Sequence, residues 1–180
     1  MKWMIASDIH GSAYYCEKLL EAYEKEKADR IILLGDLLYH GPRNDLPEGY
    51  DPKAVAGMLN GCRDIVFSVR GNCEAEVDQM MLDFPIMAEY AAMNVGSRLL
   101  FITHGHIWNS SHLPRLKPGD ILLHGHTHVP ACEEHEDHIY LNPGSVAMPK
   151  KDTRHSYLIL ENDTFLWKDL NMETYQTYRL

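Results

Sequence analysis

The stretch Trp3-Met4-Ile5-Ala6-Ser7-Asp8-Ile9-His10-Gly11-Ser12, near the start of the chain, passes from an unbroken apolar run to a polar segment that carries Asp8 and His10. Four apolar residues in a row fit a short buried strand. Beyond Ser12, the apolar positions Cys16, Leu19, Leu20 and Tyr23 are spaced as one face of a helix. Strand, loop and helix are expected in that order, with Asp8 and His10 in the loop.

The same grammar repeats. Ile31-Ile32-Leu33-Leu34 reads as a second buried strand ending at Gly35-Asp36, and Pro42, Pro47 and Pro52 mark a long loop. Asp51-Pro52 predicts a helix start, with Asp51 as N-cap and Pro52 in the first turn, and Asn60-Gly61 an end. Ile65 to Val69 forms a third strand leading into Arg70-Gly71-Asn72, and helix-forming residues run from Glu74 to Asp83. This alternation implies parallel strands with crossover helices, an α/β arrangement.

After Pro85 the pattern changes to short strand-like runs joined by turns. Asn94-Val95-Gly96-Ser97 precedes Leu99-Leu100-Phe101-Ile102, Glu136-Asp137 precedes Ile139-Tyr140-Leu141, and Asn162-Asp163 turns Tyr157–Leu160 back into Phe165-Leu166-Trp167. A second, more antiparallel sheet is expected. No repeat, low-complexity tract or linker interrupts the chain, so residues 1–180 are read as one domain.

A length of 180 residues at 45% hydrophobic content suits one core. A net charge of -9 argues against general nucleic-acid binding, whose affinity comes mainly from Lys and Arg on phosphates. A small anionic substrate stays compatible if a local positive centre exists. Cys16, Cys62, Cys73 and Cys132 form no C-x-x-C pair, which suggests a reducing compartment and neither a zinc knuckle nor a disulfide framework. The first apolar run is too short for a signal peptide, and no stretch approaches ~18 apolar residues. A soluble, cytoplasmic protein without membrane contact is expected.

Side chains suited to metals recur just past the C-terminal ends of expected strands, where open α/β sheets build their sites. Asp8 and His10 follow the first strand, Asp36 the second, Asn72 the third, His104 the run ending at Thr103, and His126 and His128 the run Ile121-Leu122-Leu123. In an extended segment, residues i and i+2 point the same way, so each pair is expected to face one cavity. Asp36, alone at its strand end, is the candidate to bridge two cations ~3.5–4 Å apart. A mixed Asp, His and Asn set without thiolate suits manganese, Fe2+ or Zn2+ better than Cu(I) or an iron–sulfur cluster. Gly11, Gly35, Gly71, Gly105 and Gly125 beside these residues fit a backbone that turns sharply near an ion.

Read in order, Asp8-Ile9-His10, Gly35-Asp36, Gly71-Asn72, Thr103-His104-Gly105-His106 and Gly125-His126-Thr127-His128 resemble the signature blocks of the calcineurin-like metallophosphoesterases. With Asn142-Pro143-Gly144-Ser145 downstream, the chain is most similar to the compact bacterial and archaeal phosphodiesterases of the YfcE type. The resemblance implies a two-sheet β-sandwich flanked by helices. It implies two divalent ions, Mn2+ foremost, with Fe2+, Zn2+, Ni2+ or Mg2+ as alternatives. One ion would be held by Asp8, His10, Asp36 and His128, the other by Asp36, Asn72, His104 and His126. Many family members carry a histidine after the Gly-Asn pair, whereas this chain has Cys73, which the YfcE type shares.

Two divalent ions against the charges of Asp8 and Asp36 leave a cationic pocket in an acidic protein. The expected reaction is attack on phosphorus by a hydroxide shared between the ions. A neutral thiol, with an ordinary pKa of ~8.5, cannot offer a dianionic monoester the positive charge of an imidazolium, so diesters are expected over monoesters. The candidate catalytic residues are Asn72, Cys73 and His104, and Cys73 has a plain alternative as a small packing residue. Arg43, in the proline-marked loop, is a candidate phosphate contact against a solvated role. His106 either orients substrate or a ligand, or caps a loop. A small phosphodiester is the expected partner, with no stable nucleic-acid binding and a homodimer or homotetramer from exposed strand edges. The competing readings are a nuclease of the same fold and an inactive protein-binding scaffold. The first is disfavoured by the lack of a basic stripe, the second by an intact set of seven metal-binding types.

Overall fold

Strand β1 (Lys2–Ala6) is central because its side chains are apolar on both faces. The computed structural model describes residues 1–180. Met4 and Ala6 point into a core shared with helix α1 (Ala13–Glu26) and helix α2 (Pro52–Gly61), whereas Ile5 points into a second core between two sheets. Parallel strands β2 (Arg30–Leu33) and β3 (Val66–Ser68) extend the sheet on one side of β1. The Cys16, Leu19, Leu20, Tyr23 stripe of α1 packs into the first core as its spacing predicts. Ser12 caps α1 through a bond accepted from Tyr15 N at 3.2 Å, and Asp51 caps α2 through one from Ala54 N at 3.0 Å.

The second sheet contains β4 (Tyr90–Val95), β5 (Arg98–Thr103), β6 (Ile121–Leu123), β7 (Ala131–Glu134) and β8 (Ile139–Asn142), in the order β4-β5-β6-β8-β7. Its outer pairings are antiparallel and its inner two, β5 with β6 and β6 with β8, are parallel, so it is mixed rather than mainly antiparallel. The C-terminal hairpin β9 (Ser156–Glu161) and β10 (Thr164–Asp169), with β11 (Thr174–Arg179), joins the first sheet, whose order is β11-β10-β9-β1-β2-β3. The reason lies in β9: Tyr157 and Ile159 enter the helix-side core while Leu158 and Leu160 enter the inter-sheet core. Such a strand needs cover on both faces, and the place beside β1 provides it.

The third helix, α3 (Glu76–Met81), is shorter than its composition predicts because the Glu74 carboxylate is turned inward onto backbone N–H groups. The result is a two-sheet sandwich flanked by helices, with the C-terminal ends of β1, β2, β3, β5 and β6 delivering loops to one edge. No helix is long and apolar enough to cross a membrane.

Candidate metal centre

The loops beyond β1 and β2 run side by side, tied by Asp8 N donating to Gly35 O at 3.1 Å, His10 N to Asp36 O at 2.8 Å and Gly11 N to Leu37 O at 2.8 Å. The expected extended pairs are not extended. Asp8, His10, Asp36, His126 and His128 all have left-handed backbone, with φ between 50° and 64°. Non-glycine residues rarely adopt this conformation, which costs on the order of 1–3 kcal/mol each and concentrates at functional sites. Here the side chains converge because the chain coils, not because it alternates. Gly71 and Gly125 show why no side chain fits beside them: a Cβ on Gly71 would overlap Asp36 Oδ1, and one on Gly125 would overlap Ser7 Oγ.

All seven predicted side chains reach one cluster. His10 Nδ1–H donates to Tyr39 O at 2.8 Å, His104 Nδ1–H to Leu34 O at 2.7 Å, and His128 Nδ1–H to Met148 O at 2.6 Å. A neutral imidazole that places its one proton on a carbonyl presents only a lone pair at Nε2. Those lone pairs face inward: Asp8 Oδ1 lies 3.5 Å from His10 Nε2 and 3.2 Å from His128 Nε2. Asp36 Oδ2 lies 3.6 Å from His10 Nε2 and 3.4 Å from His104 Nε2, between the two halves of the cluster. On the far side His104 Nε2 meets Asn72 Oδ1 at 3.0 Å and His126 Nδ1 at 3.2 Å.

The buried Asp8 Oδ1 has no hydrogen-bond partner, and a buried carboxylate oxygen left so among imidazole nitrogens fits a cation. Asp8 with His10 and His128, and Asp8 with Asp36 and His104, each place their ligand atoms within 4.8 Å of one another. Burial alone would raise the carboxyls of Asp8 and Asp36, but His10 and His128 at the first and His104 at the second more than reverse it, so both stay ionised below the usual range. Burial likewise opposes an imidazolium at His104, yet Asp36 and Asp8 outweigh it and push its pKa up to about 9 without a metal. His126 goes the other way, down to about 4, through burial and the neighbouring His104. The site thus attracts positive charge strongly, whether as protons or as metal ions.

Beside this cluster opens a cleft of about 590 Å³, walled by Tyr39, Arg43, Asn44, Cys73 and Lys150 together with several of the metal-binding types. Arg43 lies on its wall, whereas His106 does not; its ring sits 5.4 Å from that of His104, half-buried, with Nδ1 unpartnered. Cys73 N donates to Asp36 Oδ1 at 2.8 Å, and its thiol accepts from Asn72 Nδ2 at 3.3 Å. Burial and then Asp36 push the Cys73 thiol well above its ordinary pKa, so it stays neutral.

Several residues escape sequence reasoning. Glu74, buried, accepts from Asp36 N, Leu37 N and Gly71 N, locking the turns after β2 and β3 together. A carboxylate directly after Gly71-Asn72-Cys73, too early for the helix to need it, was the available signal. Ser145 Oγ donates to Asp8 O at 2.8 Å, and Asn142 Nδ2 donates to Gly125 O at 2.8 Å, which gives the Asn142–Ser145 block its purpose. Tyr39 and Lys150 come from loops with no local pattern to mark them.

Comparison with known proteins agrees with this geometry. The family model described as the calcineurin-like phosphoesterase superfamily domain matches residues 1–164. The chain is 48% identical over 163 residues to the phosphodiesterase YfcE of Escherichia coli (strain K12), covering 91% of this chain and 89% of that protein. It is 27% identical over 172 residues to the probable metallophosphoesterase YsnB of Bacillus subtilis (strain 168), covering 91% and 86%. The solved structure of YfcE, described as a phosphoesterase from E. coli, superposes with a TM-score of 0.95 at 43% identity, covering 99% of each chain. Signature blocks, strand-end geometry and these likenesses coincide, and the chain belongs to the calcineurin-like phosphoesterase superfamily.

Proposed function

We propose that this protein hydrolyses small phosphodiesters at a centre of two divalent ions, manganese foremost. Asp8, His10, Asp36 and His128 hold one ion, and Asp36, Asn72, His104 and His126 hold the other. The observation that supports this most is that Asp36 Oδ2 stands 3.6 Å from His10 Nε2 and 3.4 Å from His104 Nε2, between two groups of metal-binding side chains. When bound, such ions polarise phosphoryl oxygens and bring the pKa of water to about 7.

The chain's own residues do the rest. Carbonyls of Tyr39, Leu34 and Met148 fix three imidazoles with Nε2 inward, so metal binding needs loss of a proton at His104 but no turning of the rings. The Cys73 N–H holds Asp36 by Oδ1, so that Oδ2, which faces His10 and His104, would be available to a metal ion. Arg43 and Lys150 on the cleft wall attract the phosphate anion. Asn72 and Cys73 line the cleft, and His104, buried behind Asn72, meets its Oδ1 at 3.0 Å, so these three are the candidate catalytic residues. The neutral Cys73 thiol adds no charge for the second negative charge of a monoester, which favours diesters.

The fitting partner is a small diester, with no lasting hold on nucleic acid. The four unpaired cysteines suit a reducing cytoplasm, and the open edges of both sheets suit a homodimer or homotetramer of single-domain chains.

The test is a metal-supplemented panel containing a chromogenic aryl phosphodiester, its monoester, cyclic nucleotides and oligonucleotides. Diester hydrolysis with Mn2+, abolished in Asp36→Ala and Asn72→Ala at any ion concentration, is expected. Faster monoester turnover would refute the diester preference, and full activity in either variant would refute the ligand assignment.

A further inference from the structure

A second concavity, a groove of about 290 Å³, adjoins the cleft, and Tyr39 lines both. Its floor and walls are Leu38, Tyr39, Tyr50 and Met81, with Lys53 and Asp78 of opposite charge at the rim. Asp78 and Met81 stand three residues apart, on one face of α3. Tyr39 and Met81 are 41% and 43% exposed, large apolar side chains left at the lip of a groove rather than packed away. We propose that this groove receives the organic arm of the ester, so that the substrates are phosphodiesters carrying an apolar or aromatic group. The inference rests on the phosphodiesterase reading and extends it to the substrate class.

Three features favour that occupant. Tyr39 ties the groove to the metal cluster directly, since its carbonyl holds His10 Nδ1–H at 2.8 Å and the residue lines both cavities. With one residue lining both cavities, a diester with its phosphate in the cleft has the groove beside it for its organic arm. The aromatic walls are already set in place: the His40 ring stands edge-on to Tyr39 at 4.8 Å and to Tyr50 at 5.3 Å, and Tyr50 packs where a Cβ on Gly11 would fall. Finally, the charges are divided. Arg43 and Lys150 lie in the cleft, while the groove's rim pair cancels, so the anion belongs to the former and the uncharged arm to the latter.

The test compares two aryl phosphodiesters with the same leaving group, one with a methyl and one with a phenyl arm, each corrected for its uncatalysed rate, on the Mn2+-loaded enzyme. The phenyl diester is expected to have kcat/KM about tenfold higher, mainly through KM, as befits an apolar pocket. A non-hydrolysable phenyl phosphonate ester should bind about tenfold tighter than its methyl counterpart in calorimetry. Met81→Asp and Tyr39→Ala should bring both ratios toward one, and Met81→Leu should keep them. Equal ratios in the unaltered enzyme, or ratios untouched by Met81→Asp, would overturn the groove assignment while leaving diester hydrolysis standing. Self-association that Met81→Asp abolishes, with the ratios unchanged, would give the groove to a second copy of the chain and overturn it too. Failure to hydrolyse either diester would remove the phosphodiesterase reading and this inference together.

Discussion

The backbone N–H of Asp36 donates to Glu74 Oε2 at 2.9 Å, so the residue that stands between the two halves of the cluster is held by a carboxylate outside it. The other oxygen of Glu74 accepts from Leu37 N at 2.7 Å. Burial, and then Asp36 itself, raise the Glu74 carboxyl, while the N–H groups of Leu37, Asp36 and Gly71 pull in the opposite direction.

Replacing Glu74 by Gln puts an amide donor against backbone donors. Losing hydrogen bonds to a buried charged group should cost about 2–3 kcal/mol of stability in a denaturant titration. Because Asp36 then loses its support, affinity for Mn2+ should fall roughly 10–100-fold in a chelator competition. Unaltered metal affinity would show that Glu74 supports the fold alone.

Metal binding should also register as stability. A ligand at a hundred times its Kd stabilises the native state by about 2.7 kcal/mol, so Mn2+ should raise Tm and a chelator should reverse the rise. In Asp36→Ala the Mn2+-dependent rise should be largely lost. A rise of the same size in that variant would place the ions elsewhere.

Cys73→His offers an imidazole where the neutral thiol stands, next to Asn72. The ratio of kcat/KM on a diester to that on a monoester should fall about tenfold or more. An unchanged ratio would leave Cys73 with no part in ester preference.

Away from the site, Glu26 at the C-terminal end of α1 gives a pH prediction. Burial lifts the Glu26 carboxyl, but Lys168 and Lys2 outweigh it and hold the group below 4.5, with Lys2 Nζ at 2.9 Å and Tyr157 OH donating at 3.2 Å. A lowered folded-state pKa contributes stability that is fully present above 4.5 and is lost as pH falls through the lowered value. The stability difference between the unaltered protein and Glu26→Gln should therefore shrink as pH is stepped from 7 to 3. A difference that holds constant to pH 3 would contradict the pairing.

What was legible in the sequence is what local chemistry decides. The apolar run of β1, the one-faced stripe of α1 and the Asp51-Pro52 helix start are all set within a few residues, and the structure follows them. The placement of β9 beside β1 depended on long-range competition for cover, which an apolar run does not announce. Strand β11 escaped because Thr174–Arg179 offers only Tyr175 and Tyr178 to the core. In the site, residue types at strand ends named the cluster, but the left-handed backbone at Asp8, His10, Asp36, His126 and His128 is a tertiary product. Glu74, Tyr39 and Lys150 act by where the folded loops put them, so no spacing rule reaches them.

Whether Asp36 joins two metal ions is decided by crystals grown with Mn2+ and measured for anomalous scattering near the manganese edge. Two peaks ~3.5–4 Å apart are expected, one on each side of Asp36 Oδ2, between the His10/His128 and His104/His126 pairs. A single peak, or peaks that do not share Asp36, would contradict the bridge.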